Sequence, residues 1–293
     1  MMKKLLVNLL SANIGLNDIK KIKKPYSKKR FSQSIIKIQL MKSSILFLAL
    51  FVISSYAMAQ SDSASMAKMV KESGIDPTKV QSRGSYSFII SDPSGSSISI
   101  FNKLSFNLGI NRWSFNGKYE LTSRYTNNAE GAFSTGSGDL KFSALNAFFV
   151  KGKHALAASA ELTFPLGKPG YGLQYFALMP ALTYSFTINP SLIFAVQPQY
   201  LFNLVKGDNY PQLSILTTRI FIAKFTKSGY FFVFEPRPIY NFTTNQFDLI
   251  LAPIIGKALG KGFNLVFFAE FPTTKRFWDQ TGPLYTAGIS KSF

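Results

Sequence analysis

The chain has 293 residues, 33 Lys and Arg against 14 Asp and Glu, a formal net charge of +19 and no cysteine. The missing cysteines exclude disulfide scaffolds, thiolate zinc sites, cysteine nucleophiles and lipoprotein anchoring, and the single histidine, His154, excludes a His-rich metal site. The charge excess alone points toward nucleic acid. However, only 16% of residues are charged, 29 are Phe and the mean hydropathy is +0.11, a composition that calls for an apolar environment or an unusually large core.

More than half of the excess lies in the first fifth of the chain, since residues 1–59 hold 11 Lys and Arg and one acid, Asp18. From Met41 the sequence reads MKSSILFLALFVISSYAMAQ, with Lys42 as a positive start, an apolar core from Ile45 to Ile53, and Ala57-Met58-Ala59 before Gln60. That is the three-part pattern of a secretory signal peptide over 41–59, with cleavage expected between Ala59 and Gln60. A transmembrane anchor would need about 20 apolar residues. Residues 1–40 then read as an over-extended start upstream of Met41. The alternative for Lys20 to Arg30 is a nucleic-acid arm, which export argues against, so no nucleic-acid partner is expected.

Residues 60–83 are polar, with Ser63 placed to cap a helical turn through Lys71 before Gly74 and Pro77 break the pattern. They are expected to form a periplasmic lead-in or a plug. Over 84–293 the hydrophobic period is 2. Between Arg112 and Arg124, Trp113, Phe115, Gly117, Tyr119 and Leu121 alternate with Ser114, Asn116, Lys118, Glu120 and Thr122, and a strand sends these to opposite faces, one apolar and one wet. The same parity yields twelve strands, near 85–91, 97–108, 112–124, 139–151, 154–164, 175–187, 191–204, 213–226, 229–241, 246–257, 262–272 and 284–293. Most exceed the roughly 5 to 6 residues of soluble strands and approach the 9 to 11, about, that cross a bilayer at a tilt.

Tight turns at 109–111, 152–153, 188–190, 227–228 and 258–261 alternate with longer loops at 125–138, 165–174, 205–212 and 273–283. Short turns on the periplasmic side and long loops on the extracellular side are the asymmetry of outer-membrane barrels. The apolar parity, including Phe176, Leu182, Phe194, Phe232 and Phe267, is too continuous for a solvated sheet, and lipid forbids open sheet edges. The expected fold is therefore all-β, a closed antiparallel transmembrane β-barrel of about 12 strands, rather than a secreted soluble β-sandwich. Pro180, Pro198, Pro236, Pro238 and Pro253 fall inside these strands, where a missing N–H demands bulges or local breaks.

The last strand, Leu284 to Phe293, resembles the terminal strand by which outer-membrane barrels are recognised for assembly. Phe293, Ile289, Ala287 and Tyr285 fit its alternation, and Lys291 departs from it. The resemblance implies Phe293 as an assembly signal and the barrel-assembly machinery as a partner, beside outer-membrane lipid. Gly136-Ser-Gly-Asp139-Leu140, Ala158-Ser-Ala-Glu161-Leu-Thr-Phe-Pro165-Leu-Gly167 and Leu178-Met-Pro-Ala-Leu-Thr-Tyr184-Ser loosely resemble the transporter barrels grouped with the meta-pathway phenol-degradation outer-membrane proteins. That likeness implies a barrel passing small solutes, hydrophobic or aromatic ones among them, and supplies no functional residue.

With the apolar parity toward lipid, the interior receives Lys103, Lys118, Glu120, Arg124, Lys141, Glu161, Arg219, Glu235, Arg237, Asp248 and Glu270. Of these, Lys118, Glu120, Arg124, Glu161, Arg219, Glu235, Arg237 and Glu270 are the candidates for a lumen constriction that selects solutes by charge; the same residues could equally be a charge network that fills the lumen. The expected function is a passive outer-membrane channel for small-molecule solutes, with no cofactor and no metal. The alternative is a structural or adhesion barrel whose loops bind partners. Lipid hydrolysis would need a base, and His154 beside its turn reads as an ordinary polar residue. Lys206-Gly207-Asp208-Asn209 lacks the later oxygen ligands of a calcium loop.

Overall fold

The computed structural model describes residues 63–91, 97–126, 132–168, 171–173, 175–205 and 212–293. The expected over-extended start, the signal peptide with its Ala59–Gln60 cleavage point and Lys206–Asn209 lie outside these residues. Helix α1 (Ser63–Ser73) precedes strands β1 (Arg83–Ser91), β2 (Ser97–Ile110), β3 (Trp113–Thr126), β4 (Ala132–Ser137), β5 (Leu140–Lys151), β6 (His154–Phe164), β7 (Ala177–Asn189) and β8 (Leu192–Asn203). They are followed by β9 (Ser214–Phe225), β10 (Tyr230–Asn241), β11 (Gln246–Gly260), β12 (Phe263–Pro272), helix α2 (Lys275–Thr281) and β13 (Leu284–Ser292).

Except for β4 and β5, each strand pairs antiparallel with its sequence neighbour, and β1 also pairs with β13 through nine residue pairs from Arg83↔Ser292 to Ser91↔Leu284, which closes the sheet. β3 pairs with β5 over Trp113 to Lys118 and with β4 over Leu121 to Thr126. Strands β4 and β5 therefore share one place in the wall, interrupted at Gly138-Asp139, and the barrel has twelve strands. All twelve predicted strands are present. Two predicted loops hold structure of their own: 125–138 contains β4 and 273–283 contains α2. One link at the long-loop end, residues 242–245, is short, with Asn245 at φ 52.

The predicted parity holds. Trp113, Phe115, Tyr119 and Leu121 are exposed on the outer face, as are Leu182, Phe267 and Tyr285, while Thr122, Thr183, Gln197, Glu235 and Asn264 are buried within. Tight turns form where left-handed backbone is available, as at Asn111 and Gly152 with φ of 53 and 58. The outward lysines sit near the short-turn end beside aromatic rings: Lys257 lies 3.7 Å from the Tyr230 ring centroid, and Lys291 lies 5.0 Å from Phe263 and 5.4 Å from Phe293. Lys291, the departure from the terminal-strand pattern, thus keeps its stem on apolar surface and its charge on ring faces.

The prolines are accommodated without bulges. Each is registered with one neighbour, Pro180 with Ala160, Pro198 with Thr218, Pro236 with Leu251, Pro238 with Leu249 and Pro253 with Phe234. On its other side the ladder lapses and resumes in the same register, as between Phe234↔Ile222 and Ile239↔Thr217. A closed wall therefore tolerates proline by giving up a few hydrogen bonds on the side where the N–H is missing.

The inner face is not uniformly polar. Near the short turns Ile193 and Ala195 of β8, Phe221, Ala223 and Phe225 of β9, and Phe231 and Val233 of β10 form a buried apolar cluster completed by Met66 and Val70 of α1. Facing wall strands hold the end of the helix. The Glu72 carbonyl accepts from Asn264 Nδ2 (2.9 Å) and Ser292 Oγ (3.0 Å), and the Ser73 carbonyl accepts from an Arg83 guanidinium N–H (3.1 Å). Helix α1 therefore lies against the inner wall, apolar toward β8–β10 and hydrogen-bonded to β1, β12 and β13.

Candidate functional site

The eight sequence candidates fall into two separate groups on the inner wall. In the first, Glu235 of β10 is completely buried; its Oε1 receives Arg219 Nε at 2.6 Å and Arg237 Nε at 2.5 Å, and its Oε2 receives a second Arg219 N–H at 3.2 Å. Arg237 reaches on to Glu270 of β12 at 2.5 Å. The chain Arg219–Glu235–Arg237–Glu270 lies where the β9–β10 ladder lapses, between Glu235 and Pro238. Continuing the register sets Arg219 opposite Arg237, so the carboxylate between them relieves a like-charge contact and replaces backbone bonds with side-chain bonds.

The second group lines a chamber of about 370 Å³ walled by Lys103 of β2, Lys118, Glu120 and Arg124 of β3, Lys141 of β5 and Glu161 of β6, with Tyr171 to Leu173 at its edge. Lys118 Nζ pairs with Glu161 at 2.6 Å. Lys103 and Lys141, inward-facing by parity but outside the eight constriction candidates, also line this chamber. The registers put Lys103 opposite Glu120 and Lys141 directly opposite Lys118. Pairwise register was the missing information, because β4 takes over the outer half of the β3 edge.

Residues 165–168 and 171–173 of the β6–β7 connection are tied to the inner wall at the edge of this chamber, and the Gly-rich motifs supply the reason. Asp139, in the break between β4 and β5, accepts the Gly167 N–H on Oδ1 (3.3 Å) and the Leu173 N–H on Oδ2 (2.5 Å). The Lys168 N–H donates to the Ser137 carbonyl, and the Tyr171 hydroxyl donates to Ser134 Oγ at 2.5 Å. A Cβ at Gly136 would come 2.6 Å from the Tyr171 ring, and one at Gly172 would come 2.2 Å from Asp139 Oδ1, so the close approach requires glycine. Burial first and the Asp139 charge second push the Tyr175 phenol up to about 12, which keeps it protonated beside that carboxylate. Asp139→Ala is expected to release the segments around Gly167 and Leu173, since hydrogen bonds to a charged acceptor contribute about 1.5 to 3 kcal/mol each. Hydrogen exchange should then lose protection at Gly167 and Leu173 while β6 and β7 keep theirs; unchanged protection would disprove the clasp.

A second connection is tied similarly. Buried Asp248 accepts from Thr274 Oγ1 at 2.5 Å and pairs with Arg276 of α2. His154 lies at a short turn with Nδ1 2.7 Å from the Tyr184 hydroxyl and its ring 4.9 Å from that of Phe186, within the aromatic band of the outer face. The Phe293 N–H donates to the Ser82 carbonyl at 3.0 Å. Among the described residues there is no cluster of three or more His, Asp or Glu that could hold a metal.

No protein-family model and no curated protein matches the sequence. Solved structures do. An outer membrane channel from Pseudomonas putida F1 superposes with a TM-score of 0.58 at 10% identity, covering 73% of this chain and 96% of that one. The NanC porin gives 0.52 at 10% identity over 73% and 100%, and the KdgM porin in complex with disordered oligogalacturonate gives 0.51 at 12% over 72% and 99%. This chain has the fold of porin-like outer-membrane barrels.

Proposed function

We propose that the protein is a passive outer-membrane channel for small solutes, exported by its signal peptide and embedded in lipid, with Phe293 in the strand read by the barrel-assembly machinery. The observation that carries this reading is the charged inner chamber inside a closed wall whose outer face is apolar. A wall of twelve strands spaced about 4.8 Å apart and tilted about 40° has a diameter of roughly 24 Å. Side chains and α1 narrow that space, and α1 serves as the plug of its periplasmic half. The likeness to phenol-degradation barrels extends the proposal to hydrophobic or aromatic solutes, for which Tyr171 offers one ring at the chamber edge. The charged lining equally supports polar ones.

Three measurements test this reading. Purified protein should run at a heat-modifiable position on gels and fractionate with membranes, and in planar bilayers it should produce reproducible openings. A soluble product that does not shift on heating would end the barrel assignment, and a silent bilayer would end the channel assignment.

A further inference from the structure

We infer that the chamber bounded by Lys103, Lys118, Lys141 and Arg124 is a binding station for small solutes bearing carboxylate or phosphate groups, which gives the proposed channel its substrate class. This inference rests on the channel reading for its place on a transport path, but not for the binding itself.

The two charge groups in the lumen are used differently. In the Arg219–Glu235–Arg237–Glu270 chain every charge has a partner and the group is neutral. In the chamber Glu161 is committed to Lys118 and both oxygens of Asp139 to backbone N–H groups of the β6–β7 connection, which leaves Glu120, opposite Lys103 in the β2–β3 register, as the one acid facing Lys103, Lys141 and Arg124. Among the described residues no carboxylate comes within ion-pair distance of Lys103 or Lys141. Lys141 moreover stands directly opposite Lys118 across the β3–β5 ladder, a like-charge placement that destabilises a sheet. Glu161 sits on that face but forms its ion pair with Lys118 alone, whereas Glu235 pairs with both Arg219 and Arg237. An anion between Lys103 and Lys141 would offset the positive charge crowded around Lys141 and engage two ammonium groups that form no ion pair among the described residues.

The surroundings suit such an occupant. The Arg124 guanidinium lies 5.4 Å from the Tyr171 ring centroid at the chamber edge, so one side offers a fixed cation backed by an aromatic face. About 370 Å³ is room for roughly a dozen waters at ~30 Å³ each, enough for a small organic acid. Tyr171, Gly172 and Leu173 border the chamber and, with the wall, reduce its contact with bulk water, which strengthens the attraction relative to open water.

Citrate and inorganic phosphate are the probes. The detergent-solubilised full chain is titrated calorimetrically with each, and in parallel the reversal potential is read in bilayers under a KCl gradient. Saturable citrate binding is expected, weakened about tenfold or more in Lys103→Gln/Lys141→Gln and retained in Lys103→Arg/Lys141→Arg, with both variants still heat-modifiable. Phosphate binding without citrate binding would narrow the occupant to a phosphate compound. Wild-type openings should favour chloride and shift toward potassium in the glutamine variant. If the wild type binds neither probe, or the glutamine variant binds as well as the wild type, the station does not exist. Saturable binding with a silent bilayer would defeat the channel reading and leave the station standing, whereas potassium-selective wild-type openings without binding would do the reverse.

Discussion

Glu235→Ala is expected to lower barrel stability by roughly 3 to 5 kcal/mol, the cost of breaking a buried ion pair and leaving a charge without its partner. The substitution removes one carboxylate, strands Arg219 and leaves Arg237 with Glu270 alone, while the continued register places the two guanidiniums opposite each other. It also removes the side-chain tie between β9 and β10 where the backbone ladder has lapsed beside Pro236 and Pro238. Arg219 is 33% exposed, so lumen water compensates part of the loss and favours the lower end of the range. Glu235→Gln keeps the shape and one acceptor oxygen and should lose less. The check is the urea midpoint of the heat-modifiable form in micelles, and an alanine variant with the wild-type midpoint would show that the network contributes nothing to the wall.

Met66→Asp combined with Val70→Asp is expected to unseat α1 and raise single-channel conductance severalfold. Burying a methionine or valine side chain contributes about 1.5 to 3 kcal/mol each, and both lie against the apolar wall of β8–β10. A carboxylate there faces Phe221, Phe225 and Phe231 and would be favoured only in water. A helix with its side chains is about 10 to 12 Å across, a large share of the width left inside a wall of twelve strands. The polar ties at Glu72 and Ser73 would remain, so the helix should swing on them rather than be lost. Conductance equal to the wild type would mean that α1 does not lie on the path.

The barrel was legible because lipid and water impose opposite chemistry on alternate residues: Trp113, Phe115 and Tyr119 announce one face while Lys118 and Glu120 announce the other. The prolines concealed the answer to their own problem, since nothing local shows that a strand can give up one ladder and keep the other. The Asp139 clasp was half visible, in motifs around Gly136 and Gly167 whose glycines had no local explanation, because the partners lie 28 to 34 residues apart. The seat of α1 left a fainter mark. In 192–196, 220–225 and 230–234 both parities are largely apolar, and two greasy faces on a barrel strand mean that something inside must cover one of them. The modest amphipathicity of 63–73 hid what that cover was.

The β1–β13 seam gives the fold a schedule. Its nine residue pairs join segments about two hundred positions apart, and contacts of such separation form late and slowly. Until β13 arrives, β1 and β12 each present an unsatisfied row of backbone donors and acceptors, the kind of edge that recruits other strands. The unfinished barrel is thus at its most adhesive just before completion, and the same edges that would drive it into aggregates are the handles by which a template could hold it open and release it closed.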